Sequence, residues 1–450
     1  YDANQGRVVI AYRSPGNSNY GEAVVFKIGY SQATGGTIAD GKAVVVNANG
    51  TVSTVSTTSA SVGTAVQPEA SGVQYYATAA FDSNANKFVV AYRDDSNNQY
   101  DTAVVGTVSG SSISFGTPVV IQSAEAEYLS AVYDSNAQKV VIAFRDNGNS
   151  NYGTAVVGTV SGTSISFGSE TVFESAQTNW CSAVYDSSAQ KVVIAYQDAG
   201  NSQHGTAIVG TVSGTSISFG SATVFNAAST TEPRATYDSS AQKVVIVYRD
   251  YGNSQYGTAI VGTVSGTSIS FGSEAVFESG GAAVKPAVAH DSNTQKNLIT
   301  WSDNANSGYG TAVVGTVSGT SISFGTAAVY KAVDTSNYQF VAFDPDKKKF
   351  IIAYKDGTNS PNPGYFVDAT ISGTSVSFGT ETEYFSSAAN ISTSNSPIIY
   401  DTNSDKFVLL FIGNSILNAV AISLSGTNSE NFVGFMKGAA LDGTNGEILS

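Results

Sequence analysis

Short apolar segments alternate with clusters of Gly, Asn, Asp and Ser along the whole chain, and no segment has the 3.6-residue period of an amphipathic helix. In residues 181–225, four segments rich in Val, Ile, Thr, Tyr and Phe are separated by Asp-Ser-Ser, Gly-Asn-Ser and Ser-Gly-Thr, which predicts four strands joined by tight turns. The second and third segments, Lys191–Tyr196 and Thr206–Val212, are apolar almost throughout, which is typical of a sheet covered on both faces.

This four-strand unit is repeated. Tyr133–Asp146 recurs with few changes as Tyr185–Asp198 and Tyr237–Asp250, and most copies lie 52 or 53 residues apart. Four strands in roughly fifty residues, with both faces covered by neighbours, are typical of a β-propeller blade. We therefore predict an all-β fold, a single closed propeller of four-stranded antiparallel blades over residues 1–450. One Asp marks each of eight copies: Asp2, Asp82, Asp134, Asp186, Asp238, Asp291, Asp344 and Asp401.

Two blade counts fit the sequence. In an eight-bladed ring, Glu447–Ser450 would supply the strand that the N-terminal blade lacks, and Asn431–Phe435 would be the outer strand of the last blade. In a seven-bladed ring, Ser59–Val66 would be an outer strand, Ala419–Leu424 would be the last third strand, and flanking segments would lie outside the ring. We favour eight, because seven leaves an apolar half-blade over residues 1–30 without a partner.

Residues 30–58 lengthen the first copy of the repeat. Two strand-like runs in this segment surround Asn49-Gly50, a strong hairpin signal. We predict an inserted β-hairpin that either covers one end of the propeller or docks another subunit.

The loops on the two sides of the predicted disc differ. On one side, the connection between the third and fourth strands is repeated without change at 158–169, 210–221 and 262–273. On the other side, the segment that leads from one blade to the next differs in every copy. Differences between copies indicate either an unconstrained surface or a specialised binding surface.

Aromatic residues are concentrated on the variable side, beside the repeated turn Arg-Asp-x-Gly-Asn-Ser-x-Tyr-Gly. The turn itself is typical of structural Asx turns, and is reminiscent of the Asp-box of sialidase-like propellers without its aromatic ending. Aromatic rings with neighbouring Asn, Gln and Asp side chains suit the recognition of sugars. The candidate glycan-binding residues are Tyr100, Tyr128, Tyr152, Trp180, Tyr256, Tyr309 and Tyr338.

The amino-acid composition argues against several classes of binding partner. The 450 residues contain 35 acidic and 21 basic side chains, a formal net charge of −14, which disfavours nucleic acid and anionic lipid. A single Cys excludes a disulfide framework, and the lack of an apolar run of 18 residues argues against membrane insertion.

The sequence predicts no catalytic residue and no metal ligand. His204 and His290 each replace an aromatic residue of the repeat, and the Asp of every copy is expected to form turns or join blades. The loop Arg93–Asp101 is rich in oxygen ligands, so calcium is considered there, although the EF-hand spacing is missing. The acids that differ between blades would have to converge to form a glycosidase pair: Glu125, Glu127, Glu174, Glu232 and Glu278.

The repeat Tyr-Asp-Ser-x-Ala-Gln-Lys-Val-Val-Ile-Ala-Tyr-Arg-Asp-x-Gly-Asn-Ser-x-Tyr-Gly resembles the tandem repeats of tail-fibre and tail-associated structural proteins of marine phages. Asp40–Ser53 and Asn431–Ala440 are similar to segments that flank such arrays. The resemblance implies a virion surface component involved in host attachment. It brings no catalytic residues, and it favours the seven-bladed count if the flanking segments are separate domains.

We therefore expect a non-enzymatic, extracellular or virion-surface module that presents variable loops to a host-surface glycan or receptor and contacts other virion or surface subunits. The first alternative is a bacterial surface adhesin or filament subunit with the same scaffold. The second is a polysaccharide-cleaving propeller, which requires two carboxylates roughly 5–10 Å apart in one pocket.

Overall fold

The structure is a computed structural model that describes residues 7–13, 21–27, 43–46, 52–54, 57–69, 74–335, 339–387, 389–391, 397–427, 432–437 and 447–449. The chain divides into two compact units, residues 60–424 and residues 1–59 with 425–450. The described residues contain no α-helix, which confirms the all-β prediction. Nothing in this described part has the helical length and hydrophobicity that crossing a bilayer demands.

Residues 60–424 form seven antiparallel sheets, numbered 1 to 7 along the chain. In each sheet, strands A, B and C pair in chain order, and strand D is built from short segments that pair with the far edge of strand C. Two long strands continue from strand D of one sheet into strand A of the next, which joins sheets 2, 3 and 4.

Sheet 1 consists of Gln74–Asp82, Lys87–Asp94, Tyr100–Ser109, Ser112–Phe115 and Val119–Gln122, and sheet 2 consists of Ala126–Asp134, Lys139–Asp146, Tyr152–Ser161, Ser164–Phe167 and Thr171–Asp186, which continues into sheet 3. Sheet 3 adds Lys191–Asp198, His204–Ser213, Ser216–Phe219 and Thr223–Asp238, which continues into sheet 4. Sheet 4 adds Lys243–Asp250, Tyr256–Ser265, Ser268–Phe271 and Ala275–Glu278. Sheet 5 consists of Ala283–Asp291, Lys296–Asp303, Tyr309–Ser318, Ser321–Phe324 and Ala328–Asp334. Sheet 6 consists of Gln339–Asp344, Lys349–Lys355, Gly364–Ser372, Ser375–Phe378 and Thr382–Phe385. Sheet 7 consists of Ala389–Ile391, Ile398–Asp401, Lys406–Gly413, Ile416–Ser423 and Ser61–Val62. Four 3-10 turns connect strands B and C: Asn147–Asn149, Ala199–Asn201, Tyr251–Asn253 and Asn304–Asn306.

The repeated Asp holds the hairpin between strands A and B. In sheet 2, Asp134 Oδ1 accepts hydrogen bonds from the backbone N–H groups of Asn136 and Ala137, both at 2.9 Å. Gln138 then adopts a left-handed conformation with φ of 55°. The prediction that these recurrent acids form turns is confirmed, since the same paired bonds are made in all seven sheets, by Asp82, Asp134, Asp186, Asp238, Asp291, Asp344 and Asp401.

Apolar residues of strands B and C fill the spaces between sheets. Between sheets 2 and 3, for example, Val157, Ile194 and Tyr196 are completely buried. The described residues form seven such clusters, six between consecutive sheets and one between sheet 7 and sheet 1. Because each sheet is covered on both faces by its neighbours, strands B and C are apolar almost throughout.

The outer edge of sheet 7 is formed by the N-terminal segment of this unit. Ser61 and Val62 pair with Ser423 and Ile422, and Val66 exchanges two backbone hydrogen bonds with Ala419, at 2.8 and 2.9 Å. Residues from the two ends of the unit therefore complete one sheet.

A glycine in this segment repeats a contact seen between other sheets. At Gly63 the backbone lies so close to sheet 1 that a β-carbon would be 2.0 Å from the carbonyl oxygen of Ser111. Gly168 of sheet 2 approaches Thr215 of sheet 3 in the same way, at 1.9 Å. Sheet 7 thus contacts sheet 1 in the way that sheet 2 contacts sheet 3.

The preferred count of eight blades, with closure by the C-terminal residues, is not confirmed. The outer edge of Ile416–Ser423, where Asn431–Phe435 was expected, is paired with Ser61–Val62. Glu447–Leu449 pairs with Phe432–Lys437, and no described pairing joins it to the N-terminal strands. The seven sheets between residues 60 and 424 agree with the alternative count.

The second unit contains a different set of short strands. Arg7–Arg13 pairs with Gly21–Lys27, and Thr57–Thr58 pairs with Gly426–Thr427. Within the predicted inserted hairpin of residues 30–58, Ala43–Val46 pairs with Val52–Thr54. Ala43–Val46 also pairs with Phe432–Lys437.

Candidate functional site

Strand A of sheets 1 to 5 carries a β-bulge at one repeated position. In sheet 2 the register with strand B shifts between Glu127 and Ser130, and Tyr128 between them has φ of 55°. A positive φ in a non-glycine residue is uncommon, and bulges often redirect side chains at functional sites. The residues at this position differ between the sheets: Tyr76, Tyr128, Trp180, Glu232 and Lys285.

The first three bulge residues form a continuous group that we call the aromatic arc: Tyr76, Tyr128 and Trp180. The ring centroids of Tyr76 and Tyr128 are 5.7 Å apart, and those of Tyr128 and Trp180 are 5.6 Å apart. All three side chains are half-buried. Burial raises the pKa of the Tyr76 hydroxyl to about 12, and it also raises the pKa of Tyr128, so both phenols are protonated at neutral pH.

Arginines from the ends of strands B cover part of the arc. The guanidinium of Arg93 lies 5.2 Å from the centre of the Tyr76 ring, and that of Arg145 lies 4.9 Å from Tyr128. These are cation–π distances. Sheet 3 has Gln197 at the equivalent position, so no guanidinium of that repeat position covers the ring of Trp180.

Acidic side chains hold the two arginines in place. Arg93 forms ion pairs with Asp95 at 2.8 Å and with Glu125 at 2.7 Å. Glu127 lies 4.0 Å from Arg93 and also pairs with Arg145. The carboxylate of Glu127 therefore bridges the arginines of sheets 1 and 2.

An amide relay continues this network to sheet 4. Asn179 Oδ1 accepts a hydrogen bond from Arg145 at 2.7 Å, and its Nδ2 donates to Gln197 Oε1 at 2.7 Å. Gln197 Nε2 then donates to the carbonyl of Thr230 at 2.6 Å. The surface beside the arc therefore combines charged, donor and acceptor groups in fixed positions.

The next two bulge residues form an ion pair. Lys285 Nζ lies 3.2 Å from Glu232, and its backbone N–H donates to the same carboxylate at 2.8 Å. The bulge position is thus occupied by aromatic residues in sheets 1 to 3 and by charged residues in sheets 4 and 5.

The structure brings together only some of the predicted binding residues. Trp180 and Tyr128 are adjacent, whereas Tyr338 lies outside the described residues. Tyr76 was missed by the sequence analysis, although it lies one repeat before Tyr128. The other four candidates are half-buried at the starts of strands C, opposite the capping Asp of the turn, and no described ring contact involves them: Tyr100, Tyr152, Tyr256 and Tyr309.

The repeated turn between strands B and C is structural. Asp146 Oδ1 accepts a hydrogen bond from the N–H of Asn149 at 3.1 Å, and Ser150 ends the turn with φ of 58°. Asp198, Asp250 and Asp303 cap the corresponding turns. These carboxylates therefore act as caps that satisfy backbone donors of the turn.

The acids considered as a catalytic pair are distributed over several sheets. Glu174 accepts a hydrogen bond from the Tyr196 hydroxyl at 2.9 Å, Glu232 pairs with Lys285, and Glu278 accepts from the backbone of Gly280. Burial raises the pKa of Glu174 and of Glu278. The two acids that lie together, Glu125 and Glu127, share Arg93.

The loop considered for calcium, Arg93–Asp101, directs its carboxylates to internal partners. Asp94 accepts from the N–H of Ser96, Asp95 pairs with Arg93, and Asp101 accepts from Gln122 Nε2 at 2.9 Å.

Within the described residues, Asp344, Asp346 and Asp405 are the one acidic trio close enough to share an ion. Lys347 Nζ already pairs there with Asp405 at 2.5 Å and with Asp344 at 3.3 Å.

The two histidines lie in different surroundings. His204 is half-buried opposite Asp198 at the start of strand C. His290 lies at the contact between sheets 5 and 4, 3.5 Å from Asp238 and 3.3 Å from Ser240, and its Nδ1 is buried without a partner. Burial lowers the pKa of His290, although Asp238 acts in the opposite direction.

We expect His290 to make stability depend on pH. Because its pKa is lower in the folded state than in the unfolded state, the unfolded chain binds the proton first, and stability is lost as the pH falls below about 6.5. His290→Tyr, which introduces the residue found at this position in sheets 2, 3, 4 and 7, should lack this loss. Melting temperatures at pH 7.5 and 5.5 test it, and an equal decrease in both proteins would contradict it.

The architecture is shared with solved structures at low sequence identity. The BP39L lectin from Burkholderia pseudomallei matches with a TM-score of 0.60 and 8% identity, over 79% of this chain and 97% of the lectin. A chain of the Mitotic Checkpoint Complex matches with a TM-score of 0.50 and 11% identity, over 80% of this chain and 93% of that chain. The Aleuria aurantia lectin, a six-bladed β-propeller that recognises fucose, has a TM-score of 0.44 and 15% identity, over 70% and 99%.

No family model and no curated protein matches the sequence. The resemblance to phage tail proteins therefore receives no support from these comparisons. At such low identity, the first two structural matches show a similar fold and do not show a shared ligand.

Proposed function

We propose that residues 60–424 form a closed seven-bladed β-propeller that binds carbohydrate at the aromatic arc. The apolar cluster between sheets 7 and 1, the strand Ser61–Val62 in sheet 7 and the similarity in fold to the BP39L lectin support the ring. The observation that carries the binding function is the arc itself, three bulge aromatics in contact on consecutive sheets.

Physical chemistry favours a sugar at this surface. An aromatic ring packs against the apolar face of a sugar, while fixed polar groups beside it select the hydroxyl pattern. Trp180 supplies the ring that the arginines of strands B leave uncovered, and Asn179 and Arg145 supply hydrogen-bonding groups next to it. Because the network holds these groups in place before a ligand arrives, little ordering entropy is lost on binding.

The test is glycan-array screening of the purified chain, followed by calorimetric titration of the glycans that bind. Trp180→Ala should weaken binding by about tenfold or more, which corresponds to about 1.4 kcal/mol. Val329→Ala is the control, since this 42% exposed residue lies on Ala328–Asp334 of sheet 5, outside the arc. Binding that survives Trp180→Ala unchanged, or no binding to any glycan, would disprove the proposal.

We place this binding outside the cell, in attachment of a phage virion to its host, with a bacterial surface adhesin as the alternative. The sequence resemblance supports the first setting. A structural role beside other virion or surface subunits is compatible with either.

We also propose that binding is not followed by catalysis. The two clustered acids, Glu125 and Glu127, are both held by arginines, which suits a fixed recognition surface. Release of reducing ends from a bound polysaccharide, abolished by Glu125→Gln, would establish the polysaccharide-cleaving alternative instead.

A further inference from the structure

Arg249 of sheet 4 occupies the repeat position of Arg93 and Arg145 but has no carboxylate partner in the part of the chain that the structure describes. Arg93 pairs with Glu125 and Asp95, and Arg145 pairs with Glu127. Among the described residues, no Asp or Glu oxygen lies within 4 Å of the Arg249 guanidinium.

The sequence of strand A explains this difference. Glu127 is directly opposite Arg145 in the register of sheet 2, and Thr231 is directly opposite Arg249 in sheet 4. A hydroxyl therefore takes the place of a carboxylate. The Thr231 hydroxyl is itself buried without a hydrogen-bond partner.

The remaining contacts leave Arg249 only partly satisfied. Its Nη2 donates to Gln255 Oε1, and the guanidinium lies 4.9 Å from the centre of the Tyr251 ring. Its Nε is buried and unpaired. The guanidinium carries five N–H donors, and one hydrogen bond within the described chain uses few of them, so a carboxylate that reaches its remaining N–H groups would be bound favourably.

A second cation lies on the same face of sheet 4. Arg234 is opposite Val247, two residues before Arg249, and it is only 7% exposed. Its one hydrogen bond within the described chain is to the carbonyl of Pro233, at 3.0 Å. Burial lowers the pKa of Arg234 to about 10, so the group is still charged at neutral pH.

We propose that Arg249 forms a carboxylate subsite, so that the glycan bound beside it is acidic and carries a uronic or sialic type of sugar. The inference rests on the proposed carbohydrate-binding function. The ligand carboxylate pairs with Arg249 of sheet 4 as the carboxylate of Glu127 pairs with Arg145 of sheet 2. The amide relay that begins at Asn179, next to Trp180, ends at the carbonyl of Thr230, the residue before Thr231, and so connects the arc to this subsite.

The test compares acidic oligosaccharides with their carboxyl-reduced counterparts on the full chain. The unmodified protein should bind the acidic form about tenfold or more tightly. Arg249→Gln should abolish this preference, and so should Thr231→Glu, which supplies an internal carboxylate to Arg249. Thr231→Val is the matched control and should retain the preference, since it changes the same position without adding a charge.

Sodium glucuronate provides a direct probe. It should raise the melting temperature of the unmodified chain, relative to sodium chloride at equal ionic strength, and should have no such effect on Arg249→Gln. A preference that persists in Arg249→Gln, or equal binding of acidic and reduced glycans that still depends on Trp180, would overturn the subsite and leave the glycan-binding function intact. Failure to bind any glycan would overturn both.

Discussion

A chain of residues 74–424 is expected to be less stable than a chain of residues 60–424 by about 5 kcal/mol or more. The two differ only in the segment that forms the outer edge of sheet 7. Its removal breaks the backbone bonds of Gly63 to Ala421 and of Val66 to Ala419. It also uncovers Ile422 and Leu424, which are at most 1% exposed.

The same segment joins sheet 7 to sheet 1. The Tyr92 hydroxyl of sheet 1 donates to Glu69 at 3.1 Å, as the Tyr196 hydroxyl of sheet 3 donates to Glu174 of sheet 2. Loss of the segment therefore weakens one sheet and one contact between sheets.

Thermal unfolding of the two chains measures this effect, and the melting temperature should fall by about 7 °C or more. In contrast, deletion of residues 447–450 from the full chain should leave the unfolding of residues 60–424 unchanged, because Glu447–Leu449 pairs with Phe432–Lys437. A large effect of the C-terminal deletion and none of the N-terminal one would restore the eight-bladed ring.

Gly168→Ala is expected to destabilise the protein by about 3 kcal/mol or more. The new β-carbon would lie 1.9 Å from the carbonyl oxygen of Thr215. Both clashing groups belong to the framework of neighbouring sheets, since a β-carbon is fixed to the backbone. The overlap is therefore relieved only by moving sheet 3 away from sheet 2.

Gly162→Ala is the matched control, since Gly162 lies in the same connection, has φ of 60°, and leaves open space for 4 Å around the position that a β-carbon would take. It should cost only the left-handed backbone conformation, about 1–2 kcal/mol. Urea unfolding of both variants gives the comparison. Equal destabilisation would show that close approach of the sheets is not what requires glycine at position 168.

The strands and their repetition were predictable from sequence because they depend on local patterns. The apolar runs of strands B and C and the Asp of each hairpin specify one sheet, and the structure confirms both features. The blade count depends instead on which distant segment pairs with Ile416–Ser423. Ser61–Val62 and Asn431–Phe435 both have strand-like composition, so pattern alone does not distinguish them.

The candidate site shows the same division. The differences between the loops of the copies predict Tyr128 and Trp180 as candidates. The bulge that brings the two rings into contact is a shift in strand register, and residue composition alone does not indicate it. The shift also explains why Tyr76 was not among the predicted residues. The tyrosines of the regular turn, such as Tyr152, lie at the starts of strands C, and their role in glycan binding stays a prediction. The Asp that repeats in every sheet forms the turn between strands A and B, whereas the residues at the bulge position differ between sheets.

Closure of sheet 7 by Ser61–Val62 also determines when the fold can be completed during synthesis. The ribosome makes Val62 early, but its partner Ile422 follows only after nearly the whole unit has emerged, on the order of tens of seconds later at about 5–20 residues per second. Until then, the first and last faces of the growing array are open, and a second nascent chain could pair with either edge. The order of translation therefore makes completion of sheet 7 the final step, and the period before it is when the protein is most exposed to misassembly.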